Sequence, residues 1–154
     1  MTGTGGSIRE RWVVFVRAHD RSGALTALAE MFSTRGVSFT SFNTLVVADG
    51  SGTMSIIFRS SERLAHVLAR TLERLAVTQA VTLLRAADPG VRAVAVVSGT
   101  PGDGLSATSG AVVTPWGAAG TVLVAGAFGE VEGVIERLRP GGAVVDALSI
   151  LPPA

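Results

Sequence analysis

The chain has 154 residues, of which 47% are hydrophobic and 16% charged, and its formal net charge is +1. This length allows one ordinary domain or two very small ones, and the hydrophobic fraction predicts a folded core rather than disorder. No apolar run approaches the roughly 20 residues of a membrane helix, and the start of the chain lacks the apolar segment of a signal peptide. The absence of cysteine excludes disulfides and thiolate metal sites. We therefore predict a cytoplasmic protein with no membrane partner.

The residue types exclude several kinds of chemistry. All 13 basic residues are arginine and tyrosine is absent, which excludes a Schiff-base lysine, a P-loop lysine and a tyrosine acid. The two histidines, His19 and His66, cannot by themselves supply a three-histidine metal site. We predict no metal and no cofactor. The arginines do not alternate with aromatic residues as in a platform for single-stranded nucleic acid, so we also predict no nucleic-acid partner.

The first half of the chain alternates between strand and helix patterns. The predicted elements are a strand at 12–18, a helix within 21–36, strands at 37–48 and 53–60, a helix at 61–75 and a strand at 77–85. The sequence "DGSG" between the second and third strands is typical of a hairpin turn. The order β-α-β-β-α-β is the ferredoxin-like pattern.

Both predicted helices have one apolar face. The face of the first is formed by Leu25, Leu28, Ala29 and Phe32. Gly36 is well suited to end that helix. The stripe on the second is formed by Leu64, Val67, Leu68, Leu72 and Leu75. Ser61 is predicted to cap the second helix, and His66 to face solvent.

The second half of the chain repeats part of this plan. Strand patterns at 91–99, 120–128 and 143–151 surround a helix pattern at 130–138, and the final helix and strand keep a constant spacing of 67 from those of the first half. Aligning the first strands, 13–16 with 94–97, requires a spacing of 81, so the second half is shorter before its third strand. The difference is about the length of a helix. The segment "TPGDGLSATSG" in its place is too rich in glycine and proline to be a regular helix.

These patterns predict an α+β chain of two fused ferredoxin-like units with antiparallel sheets, the second degenerate and lacking its first helix. The predicted divisions are a flexible tail at 1–10, a first unit at 11–85, a linker at 86–90 and a second unit at 91–152.

The first unit resembles the ACT domain, a small regulatory module of amino-acid metabolism. Its segment "DRSGALTALAEMFSTRGVSFTSF" is similar to the family's Asp-x-x-Gly-x-Leu loop with the helix and second strand that follow. The segment "GTMSIIFRSSERLAHVLARTLERLAVTQAVTL" fits the second half of the domain. The resemblance covers 11–85 and only the second half of the second unit. The nearest type is the regulatory subunit of acetolactate synthase.

The resemblance implies a module that binds an amino acid or a related metabolite. In the family the ligand lies between the first strand-to-helix loop of one unit and the second strand of a neighbour. We predict a homodimer, because an isolated four-stranded unit leaves sheet edges and faces open. Any regulated enzyme is expected to be a separate chain. The predicted ligand-binding residues are Asp20, Arg21, Ser22, Gly23, Ala24, Leu25, Ser38 and Asn43. The chain departs from the family at two of them, since Ser22 replaces the usual proline and Ser38 a frequent asparagine.

The predicted loop has a physical basis as a binding site. Backbone N–H groups at a helix N-terminus attract a carboxylate, and Gly23 would permit close approach and a positive φ. Asp20 would accept a ligand ammonium. The alternative is that Asp20 or Ser22 merely caps the helix. Asn43 likewise has two interpretations, a partner on a neighbouring strand or the ligand.

Two other functions remain open from the sequence. The protein would be a small enzyme if His19 and Asp20 acted as acid–base groups in this pocket and Trp116 or Phe42 held an aromatic or amino-acid-derived substrate. An exposed strand-end histidine is the simpler interpretation of His19, and a core plug that of Trp116. A subunit that only dimerises and docks would bind no ligand. The resemblance to ACT domains favours the regulatory protein.

Overall fold

The computed structural model describes residues 9–19, 23–48, 50–100 and 110–153. The chain divides into two compact units, Met1–Ala86 and Ala87–Ala154. Each unit contains one four-stranded antiparallel sheet together with helical structure. The α+β class and the two ferredoxin-like units are therefore confirmed.

Unit 1, Met1–Ala86, has the predicted element order. It consists of β1 (Glu10–His19), α1 (Ala24–Thr34), β2 (Phe39–Ala48), β3 (Ser51–Ser60), α2 (Glu62–Glu73) and β4 (Thr78–Arg85). The strand order in the sheet is β2-β3-β1-β4, so β1 pairs antiparallel with both β3 and β4. The β2–β3 hairpin is confirmed, since Ala48 lies opposite Ser51 with only two residues between them.

Helix α1 ends where the sequence predicts. The φ of Gly36 is +68°, a left-handed conformation that side chains disfavour, and its N–H donates to the Ser33 carbonyl oxygen at 3.0 Å. The predicted buried face is correct at Leu28 and Phe32, which are fully buried. It is wrong at Leu25, whose side chain is 49% exposed.

The error at Leu25 is a rotation of α1 about its axis. Ala24 and Met31 are buried and complete the face that Leu28 and Phe32 begin. Positions 24, 28, 31 and 32 satisfy the helical period as well as positions 25, 28, 29 and 32 do. The packing of α1 onto the sheet therefore decides which set is buried.

Ser61 caps α2 as predicted. Its backbone is extended (φ −64°, ψ 156°), and its Oγ accepts a hydrogen bond from the Leu64 N–H at 3.2 Å. The helix then buries Ala65, Leu68 and Leu72 against the sheet.

Replacing Ser61 by alanine is expected to lower the free energy of unfolding by about 1 kcal/mol, because one N–H of the first turn loses its acceptor. Urea denaturation measures the change. The matched control is Ser33→Ala, at an exposed position near the end of α1, where alanine is the better helix former and no loss is expected. Equal losses in the two variants would contradict a role of the cap.

Unit 2, Ala87–Ala154, has the same strand order as unit 1. It consists of β5 (Arg92–Ser98), β6 (Val112–Pro115), β7 (Val122–Ala127), α3 (Phe128–Leu138), a 3₁₀ turn (Arg139–Gly141) and β8 (Val144–Leu151), with the sheet order β6-β7-β5-β8. In the part of unit 2 that the structure describes, α3 is the only α-helix. Most of the segment predicted to replace the first helix, residues 101–109, lies outside the described residues.

A matching β-bulge supports the internal repeat. In the pairing of β1 with β4, the register skips Gln79 between the partners of Arg17 and Ala18. In the pairing of β5 with β8, it skips Asp146 between the partners of Val96 and Val97. The positions of Gln79 and Asp146 differ by 67, which confirms the predicted spacing of the final strands. Those of Arg17 and Val96 differ by 79, so the predicted spacing of 81 for the first strands is wrong. The error arises because side chains on one face of a strand recur at every second residue. Two aligned strands shifted by two residues therefore still match in their apolar pattern.

Candidate functional site

The start of α1 is open with respect to the residues that the structure describes. Gly23 precedes the helix and makes no side-chain cap, and an added Cβ there would meet no described atom within 4 Å. Its φ is −87°, so the helix start does not use the positive φ that glycine permits. Ala24 behind it is buried and Leu25 beside it is exposed. Asp20, Arg21 and Ser22 lie outside the described residues, and capping by Asp20 or Ser22 remains a prediction.

His19 is an exposed residue at the end of β1. Its Nδ1 lies 3.3 Å from the Nε2 of Gln79, the bulged residue of β4. Its backbone N–H donates to the Val77 carbonyl oxygen at 2.9 Å. Among the described residues no carboxylate lies within 4 Å of its ring. A neutral amide does not orient or charge an imidazole as a carboxylate does, so the described surroundings give His19 no acid–base partner.

Ser38 and the start of α1 lie at opposite ends of unit 1. Ser38 directly precedes β2, whose first residue pairs with Phe58, and Phe58 pairs with Trp12. Gly23 follows soon after His19 in the sequence and therefore lies near the other end of β1. The strand from Trp12 to His19 spans roughly 23 Å. One unit alone does not bring the predicted ligand residues together.

Asn43 lies between these ends, half-buried in the middle of β2. Its Nδ2 donates to the Ser41 Oγ at 2.8 Å. The amide group is therefore paired within its own strand. The residue opposite Asn43 is Ser55, which is fully buried and whose Oγ has no hydrogen-bond partner within the described residues.

The two aromatic candidates differ in exposure. Phe42 is half-buried against the core of unit 1, and its ring is 5.5 Å from that of Phe39. Trp116 in unit 2 is 54% exposed, so its interpretation as a core plug is wrong. It directly follows the short strand β6, and its backbone N–H donates to the Thr121 carbonyl oxygen at 3.0 Å.

An arginine-centred cluster, which sequence reasoning missed, lies at the Trp12 end of unit 1. The Arg85 Nε lies 2.7 Å from Glu10 Oε2, and its Nη2 lies 3.2 Å from Glu62 Oε1. Its guanidinium stacks 4.8 Å from the Trp12 ring centroid. The hydrogen bond and the charge of Glu10 raise the pKa of Arg85 above its ordinary value. His66 is exposed as predicted and its ring packs edge-on against Trp12 at 5.9 Å.

A cavity of about 370 Å³ lies at the same end of unit 1. Its lining includes Arg9, Val37, Ser38, Arg59, Ser60 and Leu64. Of these, sequence reasoning singled out Ser38 as a ligand residue and Leu64 as part of a core stripe. The pairing of β1 with β3 brings the two arginines to this cavity from segments that are distant in the sequence.

Neither a membrane-spanning helix nor a metal cluster occurs in the described ranges. No helix there is long and apolar enough to cross a bilayer. No three histidine, aspartate or glutamate side chains there are grouped so that they could hold a metal ion.

The strand order of both units and the helix placement of unit 1 are those of ACT-type units, and the chain has the fold of two such units in succession. No protein-family model matches the sequence, and no curated protein matches it. Solved structures do match it. The small subunit of acetolactate synthase from Thermotoga maritima is 15% identical, with a TM-score of 0.62 and coverage of 94% of each chain.

A second structure extends the comparison. The regulatory subunit of aspartate kinase from Thermus thermophilus, in its ligand-free form, is 12% identical with a TM-score of 0.52. The match covers 86% of this chain and 93% of that one. At these identities the likeness establishes the fold, and function must be argued from the site.

Proposed function

We propose that this chain is a regulatory subunit that binds an amino acid or a related metabolite and controls an enzyme on a separate chain. The observation that carries the proposal is the extent of the structural match. Two subunits, the small subunit of acetolactate synthase and the regulatory subunit of aspartate kinase, are each matched over more than nine-tenths of their length. The described residues of this chain offer no acid–base pair that would favour an enzyme instead.

The ligand site is completed by a second copy of the chain. The open start of α1 and Ser38 lie roughly 23 Å apart along the sheet of one unit. In a two-fold dimer the same surface patch of both copies is in contact, so a residue of one copy meets a different residue of its partner, and the reverse. In the proposed dimer the loop of one copy meets the β2 start of its partner. The exposed Leu25 side chain lies beside that junction.

The chemistry suits an amino acid. The first-turn N–H groups of α1 bind the carboxylate, because the N-cap Gly23 offers no side-chain acceptor in competition. Asp20 binds the ammonium, and Leu25 contacts the ligand side chain. A ligand held between two copies stabilises the dimer arrangement that completes its site. Because the ligand binds this arrangement more tightly than others, it shifts the equilibrium toward the arrangement that the partner enzyme recognises.

The test is a thermal-shift screen of the amino acids and their α-keto acids, followed by calorimetry on any ligand found. At 100 times its dissociation constant a ligand adds about 2.7 kcal/mol of stability. Gly23→Val is expected to weaken binding at least about tenfold, because the added side chain occupies the approach to the helix. Gly133→Val is the matched control, since it too fills open space on a helix.

Further variants separate the alternatives. Asp20→Ala is expected to reduce affinity for amino acids more than for keto acids, which lack the ammonium. His19→Ala is expected to leave binding unchanged and the ligand intact. Consumption of the ligand by the wild type but not by His19→Ala would contradict the proposal in favour of an enzyme. The absence of any ligand response would favour a docking subunit.

A further inference from the structure

The cavity at the Trp12 end of unit 1 has an uncompensated positive charge. Within the described residues neither Arg9 nor Arg59 has a carboxylate within 4 Å. Glu10, which follows Arg9 in the sequence, and Glu62, at the start of α2, are both bound by Arg85. Both arginines of the cavity are exposed, and the described part of the chain supplies neither with a counter-charge.

The sheet places these two arginines as neighbours. Arg59 of β3 lies opposite Arg11 of β1, and Arg9 precedes Arg11 by two positions. Residues at such diagonal positions on adjacent strands are about 7–8 Å apart at their backbones. Two long guanidinium groups starting at that separation can meet on one anion. Without an anion they repel each other.

Hydroxyl groups complete the polar lining, and they differ in whether their protons are free. The Thr40 Oγ1 donates to the Ile57 carbonyl oxygen and the Ser60 Oγ to the Ser61 carbonyl oxygen, so these protons are already used. Ser61 Oγ accepts from Leu64 N–H, which leaves its own proton available.

Ser38 is the other available hydroxyl donor. It is exposed at the cavity and has no hydrogen-bond partner in the described part of the chain. The remaining wall is apolar and is formed by the buried Val37 and the half-buried Leu64.

We propose that this cavity binds a small organic phosphate monoester. A phosphate dianion concentrates two charges on one group, and arginine binds that group through paired hydrogen bonds. A volume of about 370 Å³ exceeds what inorganic phosphate needs, and the apolar wall suits an organic substituent. A dicarboxylate would have to place its second charge against that wall. The site goes beyond the amino-acid site, because its two arginines, Arg9 and Arg59, take no part in that site and its lining lies within one copy of unit 1.

Calorimetry with phenyl phosphate tests the proposal on the full chain. Benzoate, which has one charge on the same ring, and succinate, which has two separated charges, are expected to bind at least about tenfold more weakly. Arg9→Gln and Arg59→Gln are each expected to weaken phenyl phosphate at least about tenfold, the usual scale for a lost charge-assisted hydrogen bond. Arg74→Gln is the matched control at the far end of the 12-residue helix α2, roughly 18 Å away.

Four results would overturn the phosphate site. They are no binding of phenyl phosphate, an equal loss in Arg74→Gln, binding of succinate as tight as that of phenyl phosphate, and loss of phosphate binding in Gly23→Val. The last comparison separates the two proposals. If no amino acid binds, phenyl phosphate is still expected to bind and to depend on the two arginines. If phenyl phosphate does not bind, the stabilisation by an amino acid is still expected. Ser38 lies in both sites, so neither set of variants alters it.

Discussion

Phe32→Ala is expected to lower the free energy of unfolding of unit 1 by about 3–5 kcal/mol. Phe32 is fully buried at the centre of the core formed by α1 and the sheet. Its ring meets Phe58 edge-to-face at 5.2 Å and Phe39 at 6.1 Å. Alanine removes both contacts and leaves a cavity that surrounding side chains, fixed by the sheet, fill only in part.

The chain offers a fluorescence reporter for this measurement. It has two tryptophans, the buried Trp12 in unit 1 and the exposed Trp116 in unit 2. In a Trp116→Phe background the emission of Trp12 alone follows urea unfolding of unit 1. Phe39→Ala is the matched control, since Phe39 is 40% exposed and is expected to lose less than half as much stability. Equal losses at Phe32 and Phe39 would contradict the described core.

Local patterns predicted most of the fold because each pattern reflects a constraint that acts within a few residues. The helical period predicted burial of Leu28 and Phe32, and a glycine after the last turn predicted the end of α1. The serine before α2 predicted its cap. None of these features depends on which distant segment packs against the helix.

The errors arose where distant segments decide the outcome. Rotation of α1 onto the sheet exposes Leu25, although its spacing from Leu28 and Phe32 is helical. Trp116 is exposed and follows a short strand, whereas burial was expected because the second unit was predicted to lack the helix that covers its sheet. The spacing of the first strands was wrong by two, the repeat at which one strand face resembles itself.

The candidate sites were only partly predictable for the same reason. The loop at α1 and Ser38 came from the resemblance to ACT domains, and their separation to opposite ends of unit 1 follows from the sheet register. The charge of the cavity at the Trp12 end of unit 1 depends on a pairing between two residues far apart in the sequence, Glu10 and Arg85. No local pattern says which arginine takes which glutamate, and therefore which arginines are left for a ligand.

Unit 2 provides the second large effect, at two adjacent residues on opposite faces of β8. Ile150 is fully buried opposite Ala93 of β5, whereas Leu151, opposite Arg92, is 37% exposed. Ile150→Ala is expected to lower the free energy of unfolding of unit 2 by about 2–5 kcal/mol, and Leu151→Ala by about 1 kcal/mol or less. Adjacent strand residues differ in this way because side chains alternate between faces.

Amide hydrogen exchange followed by mass spectrometry measures this effect within unit 2. The amides of β5 and β7 are expected to lose protection in Ile150→Ala and to keep it in Leu151→Ala.

The same experiment tests the repeat, because Leu83 of β4 is the residue that corresponds to Ile150 at the constant spacing, and it packs against the core of unit 1. Leu83→Ala is expected to expose the amides of β1 and β3 as Ile150→Ala exposes those of β5 and β7. A loss of protection in Leu151→Ala as large as in Ile150→Ala would mean that the buried face of β8 is assigned to the wrong set of residues, and with it the correspondence between the two sheets.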